Sequence, residues 1–392
     1  MVSPLGGCPE KAKKPDSVAA TAPAPLLPAN DAWTIQLSSN PSAEGAADDE
    51  RLYVPLKTDR LVALALETGE QVWESKDPVA TAQPPVVSGP SIFVATAEAI
   101  LELDASTGIT RRRVSLSAPS VGPLTSAGDL LLVPQSPDLL VALRISDGSR
   151  AWTATLGAPV QYAAAIHHDR SAAYFALGEG SLAAVSLASG KILWTVQGLG
   201  ALTPVVAAGD RVLVGSTDKA DKMFYAFNAK NGAESWRLSA GDVVGAASAD
   251  GLVFIVSKDN VVKAVNRDSG NQRWIKTMNT RPLMPPRVIG NQLLVVGVSP
   301  VLTLHDVKTG MPAGTYAFSG SLHGAILEGQ PVLTSGGPDG SGPRLILITR
   351  DGRVVALRPG AEGSKTDPGA EPDDKDSEPS EPPARPDATV GR

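Results

Sequence analysis

The strongest constraint in this chain is a glycine that returns about every forty residues. Gly69, Gly108, Gly148, Gly190, Gly232, Gly270 and Gly310 are separated by 39, 40, 42, 42, 38 and 40 residues. In five of these units a tryptophan stands four residues after the glycine: Trp73, Trp152, Trp194, Trp236 and Trp274. Self-similarity at a fixed period near 40, in units rich in short apolar strands, is the mark of propeller blades and takes precedence over any local reading.

Each unit reads as four strands. A short strand opens on proline ("PPVVSG", "GPLTSAG", "TPVVAAG"), and an apolar one follows ("LYVPL", "SIFVAT", "RVLVGS", "LVFIVS"). A third comes after a turn ("LVALAL", "VVKAVN"), and the glycine turn then leads into a fourth that carries the tryptophan. Such runs predict a small antiparallel sheet, and sheets packed radially leave only short edges exposed. Four residues ahead of the glycine stand Asp104, Ser186, Asn228, Asn266 and Asp306. Their short side chains can bond nearby backbone N–H groups while glycine takes positive φ.

Six residues before the glycine stand Ala63, Ala142, Ala184, Ala226 and Ala264. Alanine and indole predict a knob and its space, repeated between adjacent blades. Rings at equivalent places in separate units lie around a circle, so they predict structural docking rather than one converging ligand site.

The sixth tryptophan, Trp33, settles the ends. "AWTIQL" at 32–37 matches "AWTATL" at 151–156, so it reads as a fourth strand without its first three. "RLILITRDGRVVALRPG" at 344–360 reads as a second and third strand joined at Asp351-Gly352, without a fourth. The two ends together complete one blade. The expectation is all-β: an eight-bladed β-propeller of four-stranded antiparallel blades, closed by an N-terminal strand. The competing register would put Gly352 at the motif turn and leave Trp33 spare; closure uses both ends.

Two units depart from the repeat. In the second, the tryptophan position is Arg112, inside the run Arg111, Arg112 and Arg113; in the seventh it is Gly314, between Pro312 and Tyr316. The arginines form a candidate partner-contact rim. The alternative is repeat drift, with arginine stems and Tyr316 filling the gaps.

Composition bounds the rest. Residues 361–392 hold nine acidic against four basic side chains, a balance of −5 out of a formal −6, so the remainder is almost neutral. No concentrated cationic face for nucleic acid is expected, and no apolar run approaches the ~20 residues of a membrane span. Residues 364–392 are rich in Pro, Asp, Glu and Ser and nearly devoid of large apolar side chains; this composition predicts a disordered tail.

The sequence thus divides into a leader over 1–30, a propeller over 31–363 and an acidic tail over 364–392. The four histidines are spread over different units, His167 and His168 adjacent in one and His305 and His323 further along. "DKADK" at 218–222 has as many lysines as carboxylates, and "GGPDGSGP" at 336–343 lacks the lysine of a phosphate loop. No catalytic residue, metal site or cofactor is expected.

Cys8 is the one cysteine, which excludes an internal disulfide or a thiolate zinc cluster. Leu5-Gly6-Gly7-Cys8 resembles the lipobox of bacterial lipoproteins, which implies lipidation of Cys8 and a Pro/Ala-rich tether behind it. Only seven residues precede Cys8, too few for a signal peptide's charged and apolar regions, so the reading expects a start further upstream.

The pattern Ala-x-Asp-x-x-Thr-Gly-x-x-x-Trp, repeated over 31 to about 363, resembles the tryptophan-docking motif of the quinoprotein-like (PQQ-type) β-propellers. One branch of that superfamily holds pyrroloquinoline quinone and calcium at a channel mouth and needs an adjacent-cysteine disulfide. The other is the smaller BamB-type lipoprotein scaffolds of outer-membrane β-barrel assembly. A single cysteine and a period with little spare sequence favour the second. The resemblance implies a non-enzymatic scaffold lipoprotein on the periplasmic face of the outer membrane, with an envelope protein as partner. The alternatives are a quinone- or small-ligand-binding propeller, and a propeller that binds a soluble protein or polysaccharide.

Overall fold

The structure is a computed structural model that describes residues 29–359 apart from 168, 170, 218–221, 299–300, 318–326, 328, 335–341 and 343–344. Cys8, His168 and His323, most of the 336–343 insert, and the acidic tail lie outside the described residues.

The strands, numbered β1 (Ala29–Gln36) to β32 (Arg353–Pro359) in chain order, form eight four-stranded sheets. Seven sheets are consecutive meanders. Blade 1 runs from β2 (Ala46–Ala47) to β5 (Gln71–Glu74), and blade 7 from β26 (Arg287–Ile289) to β29 (Pro312–Ala317). The eighth joins the two ends: β30 (Val332–Leu333), β31 (Leu345–Ile348) and β32 are completed by β1, which pairs antiparallel with β32 from Ala29↔Pro359 to Gln36↔Arg353. The chain is therefore an eight-bladed β-propeller closed by its N-terminal strand. Gly352 belongs to the tight turn between β31 and β32, where its N–H donates to Thr349 O at 3.0 Å, and not to the motif turn.

Burial explains the unequal composition of the strands. Middle strands such as β3 (Arg51–Leu56) and β11 (Leu130–Gln135) are buried almost throughout, because a neighbouring blade covers each face. Fourth strands alternate: β9 (Thr110–Ser115) has every second residue exposed. The core is accordingly divided into eight apolar clusters, one in each seam between adjacent blades. Apolar burial at roughly 25 cal/mol per Å² holds the ring together through these seams.

One irregularity recurs in all eight blades. The pairing of third and fourth strands slips by one residue just beside the tryptophan position, for example between Ala63 and Leu64 and between Ala142 and Leu143. In the closing blade the same slip falls between Asp31 and Trp33. Such bulges bend the outer strand and re-aim the next side chain. The extra residue is left facing out, so Val72 and Leu193 are both 47% exposed.

Candidate functional site

The seams carry most of the distinctive side chains, and they begin with the glycine turn. In all seven motif turns the glycine N–H donates to the carbonyl four residues back, at 2.8–2.9 Å. The glycines have φ between +69° and +75°, a region that costs other residues ~1–2 kcal/mol. Asp104 Oδ1 accepts from the N–H groups of Ser106 and Thr107, both at 2.8 Å, and Asp306 Oδ1 from Lys308 and Thr309. The Ser106 hydroxyl above all, with the Thr107 side chain and the two backbone N–H groups, holds the Asp104 carboxyl at about 2 against the opposing effect of burial.

Each indole lies on the turn glycine of the next blade. Trp33 covers Gly69, Trp73 covers Gly108, Trp152 covers Gly190, Trp194 covers Gly232, Trp236 covers Gly270 and Trp274 covers Gly310. A Cβ on Gly108 would stand 2.4 Å from the Trp73 ring. Each Nε1 also donates to the carbonyl three residues before that glycine: Leu66, Ala105, Leu187, Ala229, Arg267 and Val307, at 2.7–3.1 Å. Glycine is required twice here, for positive φ and for the flat floor under the ring.

The alanine plays a different part from the one the spacing predicts. Ala63 is the cross-strand partner of Trp73 in the same blade, as Ala142 is of Trp152, Ala184 of Trp194, Ala226 of Trp236 and Ala264 of Trp274. The space is therefore within the blade and not across the seam. On the other side of the alanine stands a second-strand residue: Tyr53 opposite Ala63, Tyr174 opposite Ala184, Phe254 opposite Ala264. The short methyl lets both rings lean over it, with centroids 5.7–5.9 Å apart in these three blades. Trp73, Trp194 and Trp274 are the most buried of the six, at 8–9% exposure.

Between blades 2 and 3 the same floor carries an arginine. Arg112 lays its stem on Gly148 and donates to Ile145 O at 3.4 Å and Ser146 O at 2.9 Å. Ile145 occupies the place of the carbonyls that receive the indoles. The residue opposite Arg112 is Glu102 instead of alanine, and the two form an ion pair at 3.3 Å with Glu102 7% exposed. Ser91 Oγ donates to the other Glu102 oxygen at 2.7 Å. Arg111 pairs with Asp104 and Arg113 with Glu98. The three predicted rim arginines thus each meet a carboxylate of β8 (Ala99–Asp104) or the turn before it.

Between blades 7 and 8 the third and fourth strands of the receiving blade, β32 and β1, are not joined by a hairpin, so the motif turn is missing. Gly314 stands at the indole position, opposite Leu304. Tyr316 takes over the seam, packing among its apolar residues and donating its hydroxyl to Asp31 Oδ1 at 2.8 Å. Burial first, and Asp31 second, raise the Tyr316 phenol.

The two histidines among the described residues do not converge. His167 Nε2 lies 2.7 Å from Gly209 O, whereas His305 is 6% exposed in blade 7 with Nδ1 3.3 Å from Gly310 O. Burial pushes the His305 imidazole down, against a smaller upward effect of the Gly310 carbonyl. Among the described residues no three His, Cys, Asp or Glu side chains are grouped to hold a metal ion, and no helix is long and apolar enough to cross a membrane. Sequence reasoning missed Glu102. Its signal was a double departure, with the alanine and tryptophan positions changing together in one unit.

Known proteins resemble this chain over the whole ring. A family model described as outer membrane protein assembly factor BamB matches residues 29–177 and 178–361. An assembly factor BamB of Moranella endobia is 26% identical over 276 residues, 66% of this chain and 67% of its own. The Yersinia pestis protein of that name is 24% identical over 328 residues, 75% and 79% of the two chains. The crystal structure of BamB from Moraxella catarrhalis superposes with a TM-score of 0.67 at 16% identity, covering 84% of this chain and 99% of that one. A quinohemoprotein alcohol dehydrogenase from Pseudomonas putida shares the fold at a TM-score of 0.63 and 12% identity, covering 92% of this chain and 78% of its own.

Proposed function

Because this chain belongs to the family described as outer membrane protein assembly factor BamB, we propose that it is a non-catalytic scaffold of the cell envelope, acting through protein–protein contacts in outer-membrane protein assembly. The observation that carries this reading is the extent of the family match, 29–177 and 178–361, which takes in every blade. Propellers host many activities, so the fold by itself would not select one.

The seams support the reading physically. A quinone pocket of the dehydrogenase kind needs an aromatic face free to stack on the cofactor, and all six indoles here lie on glycines of their own chain. The 12% identity to the dehydrogenase speaks for shared architecture alone.

In this reading Cys8 carries a lipid that tethers the ring to the periplasmic face of the outer membrane. Residues 9–28 serve as the tether, and Ala29 leaves the ring beside Pro359, so leader and tail depart from one point. The partner is a component of the β-barrel assembly apparatus. A crosslinked pull-down from membranes, with the wild type beside Cys8→Ala, tests it. Recovery of a β-barrel assembly protein that depends on Cys8 is expected. Recovery of no membrane protein by either form would overturn the scaffold reading.

A further inference from the structure

The seam between blades 2 and 3 differs from its six indole-docked counterparts in what it leaves open. Its floor is unchanged: Gly148 at φ +72° and the Ile145 carbonyl, here met by Arg112. The arginine stem is thinner than an indole, and the cluster beneath it is edged by the half-buried Val86, Val114, Leu116, Leu139 and Ile145. A hollow of ≈ 10 Å³, room for about one water, remains beside Arg112 over the buried Phe93, Ile100, Leu131 and Leu143. It shares Val114, Leu143 and Gly148 with an outward groove of ≈ 260 Å³ that adds Leu116, Val141, Ser115, Ser117 and Gln135 to the walls and Arg150 to the rim. Val114 and Leu116 are half-buried over the buried Val141 and Leu143, and a concave, partly apolar space with a few polar groups around it is the kind of place where a ligand group seats.

Its rim is basic. Arg144 borders the hollow and Arg150 the groove, both exposed and without an ion pair among the described residues. The carboxylate that lines the hollow is Glu102, already paired with Arg112; Asp147 feels the charges of Arg144 and Arg112, Glu98 behind Leu116 is paired with Arg113, and Asp129 stands behind Ile145. The repeat itself shows what shape suits such a floor, since at six other seams a tryptophan lies on it.

We propose that the groove between blades 2 and 3 is a docking site for an aromatic side chain, tryptophan above all, carried on an extended acidic segment of a partner protein. The incoming ring lies against Val114 and Leu143 and stacks on the Arg112 guanidinium, which Glu102 and the Ser146 carbonyl hold in place and which favours aromatic faces. Carboxylates flanking the ring meet Arg144 and Arg150. The inference rests on the scaffold reading and deepens it by naming the kind of segment the ring receives.

The test is fluorescence anisotropy with a labelled nine-residue peptide that has one tryptophan between pairs of aspartates. Saturable binding is expected, weakened about tenfold or more when alanine replaces the tryptophan or lysines replace the aspartates. Arg112→Trp with Glu102→Ala restores the indole seal of the neighbouring seams, and this double variant is expected to lose the peptide while melting no lower than the wild type. Arg144→Glu with Arg150→Glu alters only exposed side chains and is expected to weaken binding by a similar factor, so the test survives if the first variant fails to fold. No saturable binding by the wild type, or undiminished binding by the Arg144→Glu/Arg150→Glu protein, would overturn the groove. A failed peptide titration beside a positive membrane pull-down removes the groove alone, and the reverse result removes the membrane scaffold alone.

Discussion

The seam between blades 1 and 2 and the seam between blades 2 and 3 share a backbone and differ in chemistry. In the first, Trp73 lies on Gly108 over Ala63 and Tyr53; in the second, Arg112 lies on Gly148 over Glu102 and Phe93. The glycine, its positive φ, the bulge and the accepting carbonyl are common to both. The repeat therefore prescribes a flat hydrogen-bonding group on a glycine floor, and indole and guanidinium both meet it. They differ in what they exclude. Indole removes a large apolar area from water and seals the wall, whereas a guanidinium needs a carboxylate beside it and leaves a gap around its stem.

Replacing either group breaks the comparison most strongly. Trp73→Ala or Trp194→Ala is expected to cost ~3–5 kcal/mol, measured by denaturant unfolding followed by circular dichroism. Arg112→Ala with Glu102→Ala is expected to cost less, because the arginine side chain it removes is thinner and partly exposed and no buried carboxylate is left without its cation. A loss for this double variant as large as for Trp73→Ala would show that the two seams are energetically alike.

The glycines sharpen the contrast. Gly108→Ala and Gly148→Ala both bear the ~1–2 kcal/mol of left-handed backbone. At Gly108 the new methyl also meets a rigid ring at 2.4 Å, an overpacking worth about 1–3 kcal/mol more. At Gly148 it meets the flexible Arg112 stem at 2.8 Å, which can swing aside, and a single Val114 methyl at 2.9 Å in place of a whole ring. Equal melting temperatures for the two variants would contradict this account.

The closing seam gives a smaller effect. Tyr316→Phe deletes the hydrogen bond to Asp31 and leaves the ring, for an expected loss of about 0.5–1.5 kcal/mol. The same seam should be the one whose hydrogen exchange rises in the variant. Smallest at neutral pH is His305→Leu, which puts in blade 7 the residue type of Leu64, Leu103 and Leu143 at that place in other blades. Burial holds the His305 imidazole below its usual value, so the unfolded chain takes up the proton first. Its contribution to stability is whole above the unfolded value of about 6.5 and falls as pH drops below it. His305→Leu should therefore flatten the fall in melting temperature between about pH 7.5 and pH 5; an unchanged slope would exclude His305 as its source.

Much of this was legible before any coordinates, and the reason is locality. The motif turns depend on a few consecutive residues: an Asx or Ser side chain in five of the seven, a glycine, and an outer strand beginning two positions later. Their period counted the blades, and Trp33 with "RVVALRP" identified the closing pair, because both fragments carry the repeat's own pattern. The alanine was placed in the wrong relationship. Ala63 and Trp73 are ten positions apart, and only the pairing register shows that they face each other across one sheet rather than across a seam.

By itself, the sequence determined the all-β ring, its eight blades, the closure by the N-terminal strand and the positions of the docking rings, since each depends on turn chemistry repeated along the chain. The tertiary structure decided how the exceptions work. Glu102 compensates Arg112 because strand register makes them neighbours, and Gly314 yields to Tyr316 because the receiving blade is built from both ends of the ring and has no hairpin for an indole to cover. These are contacts between strands, set by packing geometry that no run of adjacent residues encodes.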